Sequence, residues 1–495
     1  MNFKSISRLQ AFLLISGIIS FGIFMTIAIF RDSLILKAVA LSIPFLLLLI
    51  YFAILHPKIF VAVLIALLPL SINLENTPFG FGISLPAEVL VTLMAFLVLV
   101  NLVKGKDVDF QFIKHPVSIA ILINLIWMFL TSLTSTMPLI SVKYLFIRIN
   151  FLLVFYYLIA QLFGTKQGVQ LFFWLYGSSL LVVIFIILLK HSQFGFTQEV
   201  NHWAAKPFFK DHTIYGACVV MMLPFFIARI FIKQPDLKFP RIFSFAIVPL
   251  LLVSIFTSYS RAVWLSIGII SIFLILLQLK IPAKYISLGL VLLVLSMWFV
   301  REPILIQLQD VQSQRGTDVK EHLTSAANIE SSVSNKERVN RWECAIDMFL
   351  EKPFLGYGPG TYPFQYAPFQ NEENMTIIST YDGDKGGVHS EYLKPLVESG
   401  VIGFLTFGAI LLMVLRSSIR LIYRTKDKSI KLLTLSLLLG LTTYYFHGFV
   451  NYFSETDKAA VLFWGMAGLI VALDIKEKKV NTASKTYVNL KNIFF

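Results

Sequence analysis

One pattern runs through the chain: apolar runs of about 20 residues separated by short polar connections, the length at which an α-helix crosses the hydrocarbon core of a bilayer. Such runs are read at about 11–30, 34–55, 59–73, 85–103, 116–133, 144–163, 168–189, 214–232, 242–259, 262–279, 285–300, 400–415, 432–449 and 459–475. They predict an all-α polytopic membrane protein of about 12–14 transmembrane helices, because only structures that satisfy their own backbone hydrogen bonds survive in lipid. Composition agrees. Of 495 residues 57% are hydrophobic and 14% charged, against roughly 25% charged in soluble proteins, which excludes a soluble enzyme, a disordered scaffold and a nucleic-acid-binding module. Cys218 and Cys344 are too few for a disulfide framework. Lys4 and Arg8 before an apolar run imitate a signal peptide, but no small-residue cleavage site follows, so this run is read as the first membrane helix.

Charge sets the expected sidedness. With the N-terminus in the cytoplasm, about 23 of the 42 Lys and Arg residues fall in short inner segments, among them Lys104, Lys106, Lys114, Lys166, Arg416, Arg420, Arg424, Lys426, Lys428 and Lys431. Both termini are then cytoplasmic. The chain divides into N-terminal membrane helices (1–189), membrane helices with a first outer loop at 190–213 (190–300), a large extracytoplasmic loop with short helices (301–399), and C-terminal membrane helices with a tail (400–495). A connection of a hundred residues is far beyond the usual few and points to function. Its first third, 301–335, is polar and Ser/Gln-rich; residues 337–350 have helical spacing with Val339, Trp342, Ile346, Phe349 and Leu350 on one face; Pro353 and the Gly356-Tyr357-Gly358-Pro359-Gly360 cluster impose turns.

The residues fit for chemistry lie near the two outer loops. Arg261, in Ser258-Tyr259-Ser260-Arg261-Ala262, sits at a tight break between apolar runs, where a basic group either snorkels to headgroups or grips an anion with its planar fork. His389, beside Ser390 and Glu391, is either a solvated loop residue or a base for neutral pH. Lys206, Lys210, Asp211 and His212 form a basic-aromatic cluster that reads as an interfacial belt or as phosphate contacts; Arg338 and Arg341 admit a solvated face or a ligand clamp. Arg148 lies inside a span near its outer end, while Arg229 lies near an inner end and snorkels. Asp382-Gly383-Asp384 imitates a metal-holding acidic pair, but no nucleotide-binding domain accompanies it; no His/Cys cluster has zinc spacing; Asn374-Met375-Thr376 is an isolated sequon.

Ser260-Arg261-Ala262, Arg338-x-x-x-Trp342, Pro353-Phe354-Leu355-Gly356-Tyr357-Gly358-Pro359-Gly360, His389-Ser390-Glu391-Tyr392-Leu393 and Glu398-Ser399-Gly400-Val401-Ile402-Gly403, in that order over roughly 200–415, together resemble the O-antigen ligase/polymerase family. The resemblance implies a C-type membrane glycosyltransferase of the bacterial cytoplasmic membrane, with an extracytoplasmic active site and no cofactor, neither metal nor ATP. Its partners would be a polyprenyl-diphosphate-linked glycan donor, a glycan or lipid acceptor, membrane lipids and envelope polysaccharide assembly proteins. By the same resemblance His389 is the catalytic base, Arg261 holds the diphosphate, and Arg338, Arg341, Lys206 and Lys210 add to that grip. His212, Arg148, Glu391 and Tyr392 are further candidate substrate contacts. The chain departs from the family where Lys206 or Lys210 and His212 stand for an arginine and an asparagine, and where Ser390 follows the histidine in place of asparagine. The competing class is a transporter or lipid-linked glycan flippase, although carriers place ionisable groups at mid-membrane and here they gather at one face.

Overall fold

The computed structural model describes residues 46–74, 83–105, 108–232, 241–279, 336–371 and 386–494, with isolated positions between them. The expected spans at 11–30 and 285–300, the start of 34–55, the polar stretch 301–335, the Asp382–Asp384 pair and the sequon at Asn374 lie outside the described residues, as do the basic residues Lys4, Arg8, Lys106, Lys233, Lys238, Lys280 and Lys284.

Two apolar helices, α1 (Leu46–Leu55) and α2 (Pro57–Leu67), meet at a bend of 119°, so the runs expected at 34–55 and 59–73 make a broken pair. An antiparallel ribbon follows, with β1 (Ile72–Leu74) paired to β2 (Ile83–Leu85) so that Ile72 faces Leu85. Then come α3 (Ala87–Val103), α4 (Pro116–Leu133), α5 (Pro138–Phe163), α6 (Lys166–Gln193), α7 (His212–Phe231), α8 (Ile242–Thr257) and α9 (Arg261–Gln278). A loop helix α10 covers 336–351, and α11 (Leu393–Arg424), α12 (Lys428–His447) and α13 (Asp457–Phe494) complete the described chain. Among the described residues eight helices, α4 to α7, α9 and α11 to α13, are long and apolar enough to cross a membrane, while α3 and α8 are apolar but shorter. The fold is that of an all-α polytopic membrane protein.

Sequence punctuation explains the breaks. Proline opens α4 and α5 where its missing N–H costs nothing. Thr165, Asp211 and Asp427 cap α6, α7 and α12, each accepting backbone N–H groups of the first turn. Residues Leu152–Leu158 of α5 wind as a π-helix, a local widening inside the span. The apolar part of α13 is almost wholly buried and forms the centre of the bundle.

The two ends of the bundle differ. At one end Asp474 of α13 takes His115 (3.3 Å), Arg424 (2.8 Å) and Lys478 (2.7 Å), and Lys166 pairs with Asp427. Four basic connections read from the sequence as lying on one side are therefore physically together. The opposite end, called the loop end below, carries the β ribbon, the 194–211 connection, α10, and the 448–456 connection between α12 and α13. Here α11 is interrupted at Gly400, whose φ of 68° is open to glycine at little cost and where an added Cβ would overlap the Phe354 carbonyl. The Val401 amide donates to the Pro353 carbonyl at 2.9 Å, and the Trp127 indole to the Ser399 carbonyl at 2.7 Å.

One expectation is corrected. Residues 336–351 do form a helix, but the buried face is Asn340, Arg341, Cys344, Ala345 and Met348, whereas Val339, Trp342, Ile346 and Phe349 are half-buried and Leu350 is exposed. The reason is the partner surface: α10 docks on the rings of Tyr357, Tyr362 and Tyr366, against which small residues and a flat guanidinium pack better than an aliphatic stripe. Burial pushes the Cys344 thiol up to about 12, so it is an inert packing group.

Candidate functional site

Four segments distant in sequence converge at the loop end. The first is the break between α8 and α9. Ser258 turns its hydroxyl back to Ile255 (2.7 Å), Tyr259 adopts a left-handed φ of 47° and donates its hydroxyl to the Phe196 carbonyl, and Trp264 donates to Ile255 (2.9 Å) while stacking on Phe256. This clamp leaves Arg261 exposed as the first residue of α9.

The second is the cap of α7. Asp211 accepts from the Thr213 and Ile214 amides at 2.7 and 3.0 Å, leaving its carboxylate fixed at the mouth of the bundle. The third is α10, which presents Arg338. Burial lowers the Arg338 pKa from its ordinary value, the Asp211 carboxylate opposes that shift and Arg261 adds to it, so Arg338 lies within electrostatic reach of both. The guanidinium stays charged at neutral pH.

The fourth segment is 387–391. His389 has φ 52°, a conformation uncommon outside glycine and frequent at functional sites. Its ring meets Tyr452 edge-on at 6.3 Å, and its carbonyl accepts from the Trp342 indole at 3.4 Å. Tyr452 in turn lies against Gly387, where a Cβ would overlap its hydroxyl, so the glycine before Val388 is required by the approach of that ring. Burial first, then the positive charges of Arg338 and Arg341, push the imidazole down to about 4, against the opposing pull of Asp211 and Glu337. His389 is neutral at physiological pH and holds a lone pair beside two guanidinium groups.

The remaining sequence candidates fall into three groups. Arg341 is about 1% exposed, pairs with Glu337 at 2.7 Å, and lies 4.0 Å over the Tyr366 ring, while its carbonyl accepts from Tyr362. It acts on His389 through charge from beneath the site and not as an open clamp. Glu391 accepts from the Phe453 and Ser454 amides (2.7 and 2.8 Å), the Ser454 hydroxyl (2.9 Å) and the Tyr444 hydroxyl, tying the 448–456 connection to the His389 loop, and Tyr392 donates to the Tyr445 carbonyl (2.6 Å), fastening the same loop to the end of α12. Lys206 and Lys210 are exposed on the 194–211 connection, and His212 is the first residue of α7.

Arg148 belongs to a neighbouring buried cluster. It donates to Tyr144 (2.9 Å), which donates to Glu455 (2.6 Å), and Lys394 pairs with the same carboxylate while lying 4.9 Å over the Tyr452 ring. Glu398 accepts the Gly360 amide at 2.8 Å, anchoring the glycine-rich turn. Tyr144, Arg148, Lys394 and Glu398 line a cavity of about 30 Å³, room for about one water. Through Tyr452 the cluster buttresses the His389 loop. Arg229, at the other end, closes α7 by donating to the Ile232 carbonyl.

Sequence reasoning missed His447. It ends α12, is about 1% exposed, and pairs Nδ1 with Asn451 at 3.2 Å; Nε2 is buried without a hydrogen-bond partner, and Asp211 and Arg338 are within electrostatic reach of the ring. An apolar span ending in histidine gave no signal distinguishing a core ring from a site ring. No group of three His, Cys, Asp or Glu with metal-binding geometry occurs among the described residues.

Fold and site together define a polytopic helical membrane protein with an arginine–histidine cluster assembled at one end of its bundle. Residues 245–408 match the family described as O-antigen ligase, which supports assignment of the chain to the O-antigen ligase/polymerase family and, at that coarse level, a glycosyltransferase-type activity in envelope polysaccharide synthesis. The matched segment contains Arg261, Arg338, Arg341 and His389, whereas Asp211, Lys206, Lys210 and His447 lie outside it. No curated protein matches the chain.

Proposed function

We propose that the protein transfers a glycan from a polyprenyl-diphosphate carrier to an acceptor hydroxyl on the extracytoplasmic side of the cytoplasmic membrane. The observation that carries this reading is the convergence of Arg261 and Arg338 with neutral His389, all three within the family-matched segment.

The chemistry follows from the residues. An acceptor oxygen attacks the anomeric carbon, forming the new C–O bond as the bond to the carrier diphosphate breaks and its electron pair leaves with the phosphate oxygen. The acceptor proton passes to the His389 imidazole. A single displacement from the far face inverts the anomeric centre. Arg338 and Arg261 hold the growing negative charge, an effect that is large when the donors are already oriented in a partly dry site. The low basicity of His389 in the free site is the other side of that arrangement: a bound diphosphate neutralises the guanidinium charges that oppose protonation, so the base strengthens when the donor is in place. Lys206 and Lys210, exposed on the 194–211 connection, supply positive charge for the donor's entry.

Purified protein in lipid, given a defined polyprenyl-diphosphate glycan and a hydroxyl acceptor, forms the transferred product on this reading. Vesicle uptake of the lipid-linked glycan without product would favour a carrier instead.

A further inference from the structure

The turn after α10 is placed at membrane depth although it belongs to the large loop. The 18 residues of α4 span about 27 Å at 1.5 Å per residue, close to the ~30 Å of hydrocarbon, so Leu133 marks the boundary at the loop end. Trp127 and Thr131, six and two residues before Leu133 and so about 9 and 3 Å below it along the axis, reach the Ser399 carbonyl and hydroxyl at 2.7 and 3.4 Å. Ser399 and Gly400 therefore lie below the end of α4. The turn runs from that level to the boundary: the Pro353 carbonyl accepts from Val401, beside Gly400, while at its far end the Tyr357 amide donates to Val397 at 3.1 Å and the Tyr357 carbonyl accepts at 2.7 Å from the hydroxyl of Thr136, just past the end of α4.

At this depth the turn exposes apolar side chains. Leu350 and Phe354 are each 68% exposed and Leu355 43%, and they adjoin an open cavity of about 290 Å³ lined by Thr134, Lys352, Pro353, Phe354, Leu355 and Gly356. Scattered surface apolar residues are ordinary, but three within six residues beside span ends form a patch. Lys352 lies 4.3 Å over the Tyr357 ring, the arrangement of a basic stem that covers apolar surface while its ammonium reaches toward water.

We infer that the 350–356 turn is a lipid-contacting wedge seated in the leaflet at the loop end, with Leu350, Phe354 and Leu355 among acyl chains and a chain segment occupying the adjoining cavity. Because α10 is continuous with this turn and carries Arg338, the wedge fixes the height of the arginine–histidine cluster above the bilayer. The inference requires that the chain span a bilayer and is independent of the transfer reaction.

Site-directed spin labelling tests it in the full chain, reconstituted in phosphatidylethanolamine–phosphatidylglycerol bilayers. Labels go on Phe354→Cys and Leu350→Cys, with Leu405→Cys on the exposed flank of α11 and Tyr381→Cys, 77% exposed on the loop, as lipid and water references. The native cysteines are buried, and the unsubstituted chain supplies their baseline. The expected result is oxygen-rich, nickel-poor collision at 354 and 350, matching 405. Nickel access matching 381 overturns the inference, and so does shielding from both reagents, which would mean that protein covers the patch. Should Phe354→Cys fold poorly, Leu350→Cys reads the same patch alone.

Discussion

The guanidinium of Arg338 and the imidazole of His389 lie within electrostatic reach of each other at the loop end of the bundle, and the charge of the first opposes protonation of the second. Asp211, fixed as the cap of α7, pulls the other way on both. Three segments that are remote in sequence thus set one proton equilibrium.

The acid limb of the transfer reaction tests this directly. A His must be neutral to act as base, so activity falls as pH drops through its pKa. With His389 near 4, kcat/KM stays level well below the ordinary histidine value of about 6.5 and declines only near pH 4. Arg338→Gln removes a like charge and moves the limb upward; Asp211→Asn removes an opposite charge and moves it downward. The opposite signs are read from pH profiles of kcat/KM in the two variants.

Arg261→Ala leaves the α8–α9 break intact, since that break is held by Ser258, Tyr259 and Trp264, and removes one exposed donor to the diphosphate. Loss of one preoriented donor lowers the rate by about 10²–10³-fold. The melting temperature is unchanged, and Arg261→Lys recovers only part of the loss because an ammonium lacks the planar fork. Steady-state transfer rates with a parallel unfolding curve make the check.

Arg341 behaves differently. Removing it leaves Glu337 buried without its ion pair and takes a guanidinium off the Tyr366 ring. Breaking a buried pair costs about 3–5 kcal/mol, so Arg341→Ala lowers thermal stability strongly and sheds activity through unfolding of the α10 docking, whereas Arg338→Ala lowers activity with little change in stability. Scanning calorimetry on the two variants separates the roles.

Glu391 offers a similar contrast. Glu391→Ala takes the carboxylate acceptor from two amides and two hydroxyls, of which the Phe453 amide keeps the Tyr444 hydroxyl at 3.1 Å as an alternative, and each buried group left unsatisfied costs about 1–3 kcal/mol. Amide exchange at Phe453 and Ser454 accelerates and the melting temperature falls. A residue that only touched substrate would change KM and leave exchange unaltered.

The spans were legible because lipid imposes one simple rule on every residue of a crossing helix, whereas their exact starts were less so: the run read from 144 begins at Pro138. The interruption of α11 at Gly400 was not legible: the apolar run beginning at 400 marked a span start there but not the helix on its N-terminal side, and the need for glycine arises from the Phe354 carbonyl on another segment. The same holds for α10: its 3.6-residue period announced a helix, but which face docks depends on three tyrosines downstream. At the site, Arg261, Arg338 and His389 stood out as charged or titratable groups near apolar ends. Arg341, Glu391 and Arg148 stood out equally, and only their partners separate them as supports. His447 was silent because its position matters through Asp211 and Arg338, neither near it in sequence.

The central claim is that His389 takes the acceptor proton while Arg338 and Arg261 hold the diphosphate. The most direct measurement compares wild type and His389→Ala in purified, lipid-reconstituted protein, following donor binding and single-turnover transfer separately. A base of this kind contributes about 10²–10⁴-fold in rate, so the account predicts a loss of that size in transfer with donor affinity and folding retained. Transfer by His389→Ala at the wild-type rate would contradict it.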